Sequence, residues 1–234
     1  MPQLTRTSPR RRYMLLLILL LISSLLISAL LFTLTHRSKP DALLLTRALD
    51  SCLNAESYSY RCRSSLLLGE AGTERVFSVF SGEKAGESRH VWGSILGTTV
   101  NLYFVDGVLY QQNPLDGSWT SLSGSGLLQA TLLLGEIDPT ANFTFAEMGE
   151  AEYLGKEEIE GRSAHHFVFT PQLQSEWIRR YFTDISYRMW VDVKSEQLVK
   201  AEISATSIED PTSHLHIENY FADYGSTFII EAPQ

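Results

Sequence analysis

The chain has 234 residues, 44% of them apolar and 11% aromatic, which is enough material for one sizeable hydrophobic core. All 27 acidic residues lie beyond residue 40, but only 13 of the 19 basic residues do, so that part of the chain has a net charge of −14. Such an acidic domain is repelled by phosphate backbones and by anionic lipid head groups, which excludes nucleic acid as a partner but not a hydrophobic lipid tail.

The N-terminal segment has the pattern of a membrane anchor. Arginines at positions 6, 10, 11 and 12 precede an uninterrupted apolar run at 14–34. At about 1.5 Å per residue this run spans a hydrocarbon layer of about 30 Å. Only Arg37 and Lys39 follow it, so the excess of positive charge predicts a cytoplasmic N-terminus. We therefore expect a single-pass protein of the plasma membrane, with a cytoplasmic basic tail at 1–13, a transmembrane signal anchor at 14–35 and an exported domain at 40–234.

A cleaved signal peptide is the alternative for this segment, with Ile27 and Ala29 as a poor small-residue cleavage motif. The apolar run is longer than the roughly 7–15 residues of a typical signal-peptide core, which favours the anchor. Under either reading, the domain beyond residue 40 is expected outside the cytoplasm.

The exported part begins with a short amphipathic helix. Pro40 and Asp41 form a reasonable helix start. Four residues share one stripe of this helix: Leu45, Ala48, Leu49 and Cys52. Cys62 follows ten positions later, and such a pair in an oxidising compartment forms a disulfide by default. We expect a Cys52–Cys62 bridge that ties the helix to the first strand; two buried thiols are the alternative.

Strand-like runs then follow in quick succession, at 57–69, 74–82, 88–97 and 98–112. The last contains Asp106-Gly107 between alternating apolar residues, which is the strongest short-range signal for a tight hairpin. A short strand led by a turn is predicted within 116–122, and a helix at 126–139.

The second half is also predicted to contain strands and a helix, without an internal sequence repeat. Two strands, at 151–155 and 163–170, flank a charged hairpin tip at 156–161. An amphipathic helix is predicted from 171 to 182, with four residues on one side: Leu173, Trp177, Ile178 and Tyr181. Three more strands are predicted at 186–195, 197–207 and 213–225. The fold class is therefore α+β, with about ten antiparallel strands and two or three helices on one face.

The histidines of this half are candidate metal ligands, but the alternation of side chains along a strand argues against a metal site. His165 and His166 are neighbours on a strand, so they point to opposite faces and cannot hold one ion together. The spacing of His214, His216 and Glu218 suits zinc better, but Leu215 and Ile217 mark the other face as the core face. We interpret the two histidines and the glutamate as a solvated outer stripe, and we expect no metal and no cofactor.

Three segments resemble the LolA-like and LppX-like lipoprotein-carrier superfamily. "YLGKEEIEGRSAHHFVFTP" at 153–171 follows its pattern of glycine, glutamate, a branched residue, glycine and a base before an aromatic strand. "YRMWVDVKSEQLVKAEI" at 187–203 is similar to its next pair of strands, and "YFADYGSTFIIEAP" at 220–233 to its closing strand and turn. The resemblance implies a half-open antiparallel β-barrel wrapped over two or three helices, with an apolar cavity between sheet and helices. Such domains carry acyl chains or lipids, or sense envelope components.

Large apolar side chains, most of them aromatic, could line such a cavity. The candidates are Phe77, Trp92, Phe104, Tyr110, Trp177, Ile178 and Trp190. Large aromatic side chains form the walls of ligand pockets, but they also fill ordinary cores, so both alternatives stay open.

The sequence thus predicts a bacterial envelope protein that binds a hydrophobic ligand, a lipid or a lipoprotein acyl chain, without covalent chemistry. The alternative is an interaction or sensor module with a filled core that docks another envelope protein. We expect no enzyme, because no catalytic motif fits the element on which it falls.

Overall fold

Alternation of apolar and polar side chains builds one large sheet in the computed structural model, which describes residues 42–123, 138–174 and 176–234, the side chains of 176 and 177 excepted. The predicted tail and anchor lie outside the described residues, and so does the helix predicted at 126–139 except for its last two residues, Asp138 and Pro139, which begin a 3₁₀ helix. Among the residues that are described, no helix is long and apolar enough to cross a membrane.

The first helix, α1, runs Ala42–Leu53 and buries the stripe that its sequence predicts. Leu45, Ala48, Leu49 and Cys52 are all at most 5% exposed, because spacings of three and four residues place them on one side of the helix. This side packs against two strands from the C-terminal part of the chain, at 182–192 and 198–207, so α1 covers part of one sheet face.

Six strands form the first half of the sheet: β1 (Ser57–Leu68), β2 (Thr73–Ala85), β3 (Ser88–Ile95), β4 (Thr98–Val105), β5 (Val108–Gln112) and β6 (Trp119–Leu122). The predicted hairpin between β4 and β5 is confirmed. Asp106 and Gly107 have φ values of 50° and 74°, and two consecutive positive φ angles are what a two-residue type I′ turn requires.

The second half contains a 3₁₀ helix (Pro139–Phe143), β7 (Phe145–Glu147), β8 (Glu152–Ile159), β9 (Arg162–Phe169), β10 (Gln172–Leu173), α2 (Glu176–Tyr181), β11 (Phe182–Asp192), β12 (Leu198–Ser207) and β13 (His214–Ala222). The predicted hairpin tip at 156–161 is too long, because β8 continues to Ile159 and only Glu160 and Gly161 form the turn.

The helix predicted from 171 to 182 is much shorter in the structure. Gln172 and Leu173 pair with β7 in a small two-stranded sheet, and α2 has only six residues. Phe182 already belongs to β11. Pro171 lacks the backbone N–H that would allow it to sit inside a helix, and the β-pairing partner at Phe145–Glu147 competes for the residues that follow.

The large sheet has eleven antiparallel strands in the order β6-β5-β4-β3-β2-β1-β13-β12-β11-β9-β8. Its two outermost strands, β6 and β8, are not paired to each other within the described residues, so the sheet is open rather than a closed barrel. The observed class is therefore α+β, as predicted: an open antiparallel sheet with helices α1 and α2.

Candidate ligand-binding groove

The inner face of the sheet, which packs against α1, is buried and mostly apolar. One row across it pairs Phe80 with Cys62, Cys62 with Asn219, and Asn219 with Ala201. All four are at most 6% exposed. Three of the predicted cavity residues lie on this side: Ile178 is 1% exposed, and Phe77 and Phe104 are half-buried against the same cluster.

Three other predicted cavity residues face away from this core, so their assignment is wrong. Trp92, Tyr110 and Trp190 each neighbour a buried residue of the main core, and adjacent residues in a strand point to opposite faces. Trp92 is 38% exposed. It lines an outer groove of about 410 Å³ together with Arg61 and Tyr220. The side chain of Trp177, the seventh candidate, lies outside the described residues.

Trp190 is buried in a second, smaller cluster on the outer face, with Ala164, Val199 and Ile159. The indole ring stacks on His166, with the ring centroids 4.4 Å apart and an interplanar angle of 16°. The indole Nε1 donates a hydrogen bond of 2.8 Å to Glu157 Oε2, and this bond holds the pKa of Glu157 below its ordinary value. Trp190 is thus held by packing on the outer face.

The two adjacent histidines point to opposite faces, as predicted. His166 lies in the Trp190 cluster, where its Nδ1 is 2.8 Å from Glu157 Oε1. His165 lies instead beside Tyr153, with Nδ1 3.4 Å from the phenol oxygen. The two rings therefore cannot share a ligand.

The stripe of His214, His216 and Glu218 lies on the outer face, as predicted, because Leu215 and Ile217 are buried. Three side chains from two strands come together here: the donor atoms of Glu202, His216 and Glu218 lie within 4.8 Å of one another.

The Lys200 ammonium lies between these carboxylates, 2.5 Å from Glu202 Oε1 and 3.3 Å from Glu218 Oε1. Burial by itself would lower the pKa of Lys200, but hydrogen bonds to Glu202 and Tyr220 raise it above its ordinary value. A protonated lysine thus offsets one of the two carboxylate charges of the cluster.

The predicted disulfide is not formed: Cys52 and Cys62 are both buried thiols. Cys52 bonds to Tyr224, whose ring is 5.7 Å from that of Tyr58 near the start of β1. Cys62 lies four residues beyond Tyr58 on β1, where its Sγ is 3.7 Å from Ser64 Oγ. Burial raises the pKa of the Cys52 thiol to about 12, so it remains protonated at neutral pH.

A groove of about 540 Å³ opens onto the main core where the small β7–β10 sheet meets β11 and α2. Its lining residues are Ala146, Pro171, Gln172, Leu173, Gln174, Arg179 and Ile185. Leu173 is 4% exposed and belongs to the core cluster, and the half-buried Ile185 packs against that cluster. The floor of the groove is thus apolar, while Gln172, Gln174 and Arg179 are exposed.

The sequence pattern predicts Leu173 on the apolar side of a helix from 171 to 182. The structure places Leu173 instead on a short strand at the groove floor. Ile185 and Arg179 carry no sequence signal of their own, because the groove forms only when β7 pairs with β10.

The sequence does not predict that the polar side chain of Asn219 is buried on the inner face. Asn219 is 0% exposed, and neither its carboxamide oxygen nor its nitrogen has a hydrogen-bond partner. An unsatisfied buried amide costs about 1–3 kcal/mol.

We expect Asn219→Leu, a change of similar size, to raise the free energy of unfolding by about 1–3 kcal/mol. Urea denaturation followed by circular dichroism measures this. Asn101→Leu is the matched control and should destabilise, because Asn101 bonds to His90 and Gln112 on the outer face. A loss of stability in Asn219→Leu would show that the carboxamide has a partner in solution.

The open antiparallel sheet with a helix packed on its inner face defines the class: this is the LppX-like fold. Two solved structures share it. The lipoprotein LppX of Mycobacterium tuberculosis has a TM-score of 0.55 at 15% identity, over 82% of this chain and 100% of that chain. LprF of Mycobacterium bovis has a TM-score of 0.52 at 10% identity, over 84% of this chain and 99% of that chain.

These similarities confirm, at the level of the fold, the resemblance stated from the sequence. No protein-family model matches the chain, and no curated protein matches it either. At 10–15% identity the shared fold carries no residue-level assignment of function.

Proposed function

We propose that the domain binds a lipid or an acyl chain non-covalently, with the chain seated in the groove at Leu173 and Ile185. The observation that carries the proposal is the apolar floor of this groove, which is continuous with the core cluster. A volume of about 540 Å³ lies within the range of roughly 300–1,000 Å³ typical of small-molecule sites. Each buried methylene contributes about 0.8 kcal/mol, so affinity needs no catalytic or metal centre.

The location that we propose is the cell envelope, with the domain outside the cytoplasm and residues 14–35 as its anchor. The positive charge before the apolar run supports this orientation. The fold shared with the lipoprotein LppX supports the extracytoplasmic setting. An anchored domain would bind its ligand at a fixed membrane rather than shuttle between membranes.

An interaction module is the second candidate, and one observation favours it. At the centre of the inner face, Met189, Ala201 and Ile203 are all 0% exposed. A ligand therefore does not reach the sheet centre in this conformation, and this filled centre is what an interaction module would have.

Photo-crosslinking tests the proposal on the full chain in mild detergent. A photoactivatable palmitic acid should label the groove, and mass spectrometry of tryptic peptides identifies the labelled segments. Trypsin cleaves after Arg162, Arg179, Arg180 and Arg188, so adducts are expected on 163–179 and 181–188. Unlabelled palmitate should suppress these adducts in a saturable way. Labelling confined to the apolar run at 14–35 would contradict the groove and favour the interaction module.

A further inference from the structure

The groove has a single charged side chain among the described residues that line it, and this is Arg179. Arg179 lies in the last turn of α2 and is exposed. None of the ion pairs within the described part of the chain includes it. The guanidinium therefore lines the groove without an ionic partner among the described side chains.

An apolar floor with one cation at its rim matches the two ends of an anionic amphiphile. A guanidinium presents its N–H donors in a fork that fits the two oxygens of a carboxylate or the oxygens of a phosphate. Leu173 and Ile185 would contact the chain while Arg179 holds the head group at the groove mouth. We infer that the ligand is an acyl chain with an anionic oxygen head group, a carboxylate or a phosphate, rather than a neutral lipid. This inference rests on the proposed groove function.

The acidity of the domain does not oppose this assignment. Its net charge of −14 repels extended anionic surfaces. Between exposed charges, however, the interaction is largely screened beyond about 8 Å at physiological ionic strength. A single head group at the groove mouth therefore responds mainly to the nearest charge, and no acidic residue is among the described residues that line the groove.

Competition against the photoactivatable palmitic acid at pH 8 tests the inference on the full chain. Palmitate and methyl palmitate share one chain and differ in head-group charge. Palmitate should compete about three- to tenfold better, a factor between that of a typical exposed ion pair and that of a hydrogen bond to a charged group. Lysophosphatidate competing as well as palmitate would extend the site to phosphate heads, and failure to do so would restrict it to carboxylates. Acetate and inorganic phosphate should not compete, because they lack the chain.

Two variants with the same change in net charge locate the effect. Arg179→Gln should reduce the preference for palmitate over its methyl ester to about one. Arg180→Gln, on the next residue of the same helix and outside the groove lining, should retain it. Equal competition by palmitate and methyl palmitate in the parent chain overturns the inference but leaves the groove function standing. Loss of the preference in both variants also overturns it, because the effect would then be general electrostatics. If the probe labels no groove peptide, both the proposed groove function and this inference fail.

Discussion

Trp190→Ala is expected to lower the free energy of unfolding by about 3–5 kcal/mol, the usual cost of removing a buried tryptophan. Trp190 is 3% exposed and fills the outer cluster with Ala164 and Val199. Its loss also removes the indole donor from Glu157 and the ring that lies 4.8 Å from Lys200 Nζ. Urea denaturation of residues 40–234 followed by circular dichroism, which does not depend on tryptophan emission, measures the change.

Trp92→Ala is the matched control for this prediction. Trp92 is also on the outer face, but it is 38% exposed, and its ring contact is with His90 at 4.6 Å. We expect a cost of about 0.5–1.5 kcal/mol, the contribution of one aromatic pair. Equal costs for the two tryptophans would show that the cluster around Trp190 is loose.

The contrast between these tryptophans shows what the sequence could and could not predict. The strands of the sheet could be predicted from the sequence because apolar alternation and the Asp106-Gly107 turn are local signals. Which face a tryptophan occupies depends on the neighbours in register, and Trp92 and Trp190 were selected by residue type instead. The alternation rule that correctly separated His165 from His166 would also have placed Trp190 opposite Val191, a residue of the main core.

Features that depend on distant pairing were beyond sequence reasoning. Cys52 and Cys62 are ten positions apart in the sequence, but the distance between them is set by where α1 lies on the sheet. The small β7–β10 sheet joins residues 145–147 to 172–173, and this pairing replaces the start of the predicted helix and creates the groove. Asn219 gives no local sign that its carboxamide has no partner, since its neighbours on β1 and β12 decide this.

Gly93→Ala is the second large change that we expect, with a loss of about 2–6 kcal/mol in the free energy of unfolding. Gly93 pairs with Phe80 on β2 and with Val100 on β4, in the interior of the sheet. Its φ of 148° is strained for any residue with a Cβ, which costs about 1–3 kcal/mol. An added Cβ would also lie 2.5 Å from Phe80 Cα. Because that neighbour is backbone, the strand must shift, and overpacking adds about 1–3 kcal/mol.

Gly155→Ala separates the two causes of this loss. Gly155 has a similar φ of 133°, but a Cβ there would meet nothing within 4 Å. Only backbone strain remains, so we expect Gly155→Ala to cost about 1–2 kcal/mol and to retain cooperative unfolding. Chemical denaturation of both variants, followed by circular dichroism, gives the difference, which is the cost of pushing β3 away from β2. If the two variants lose the same stability, β2 and β3 yield without cost at Gly93, and the inner face is less tightly packed there than its buried neighbours Phe80 and Val91 indicate.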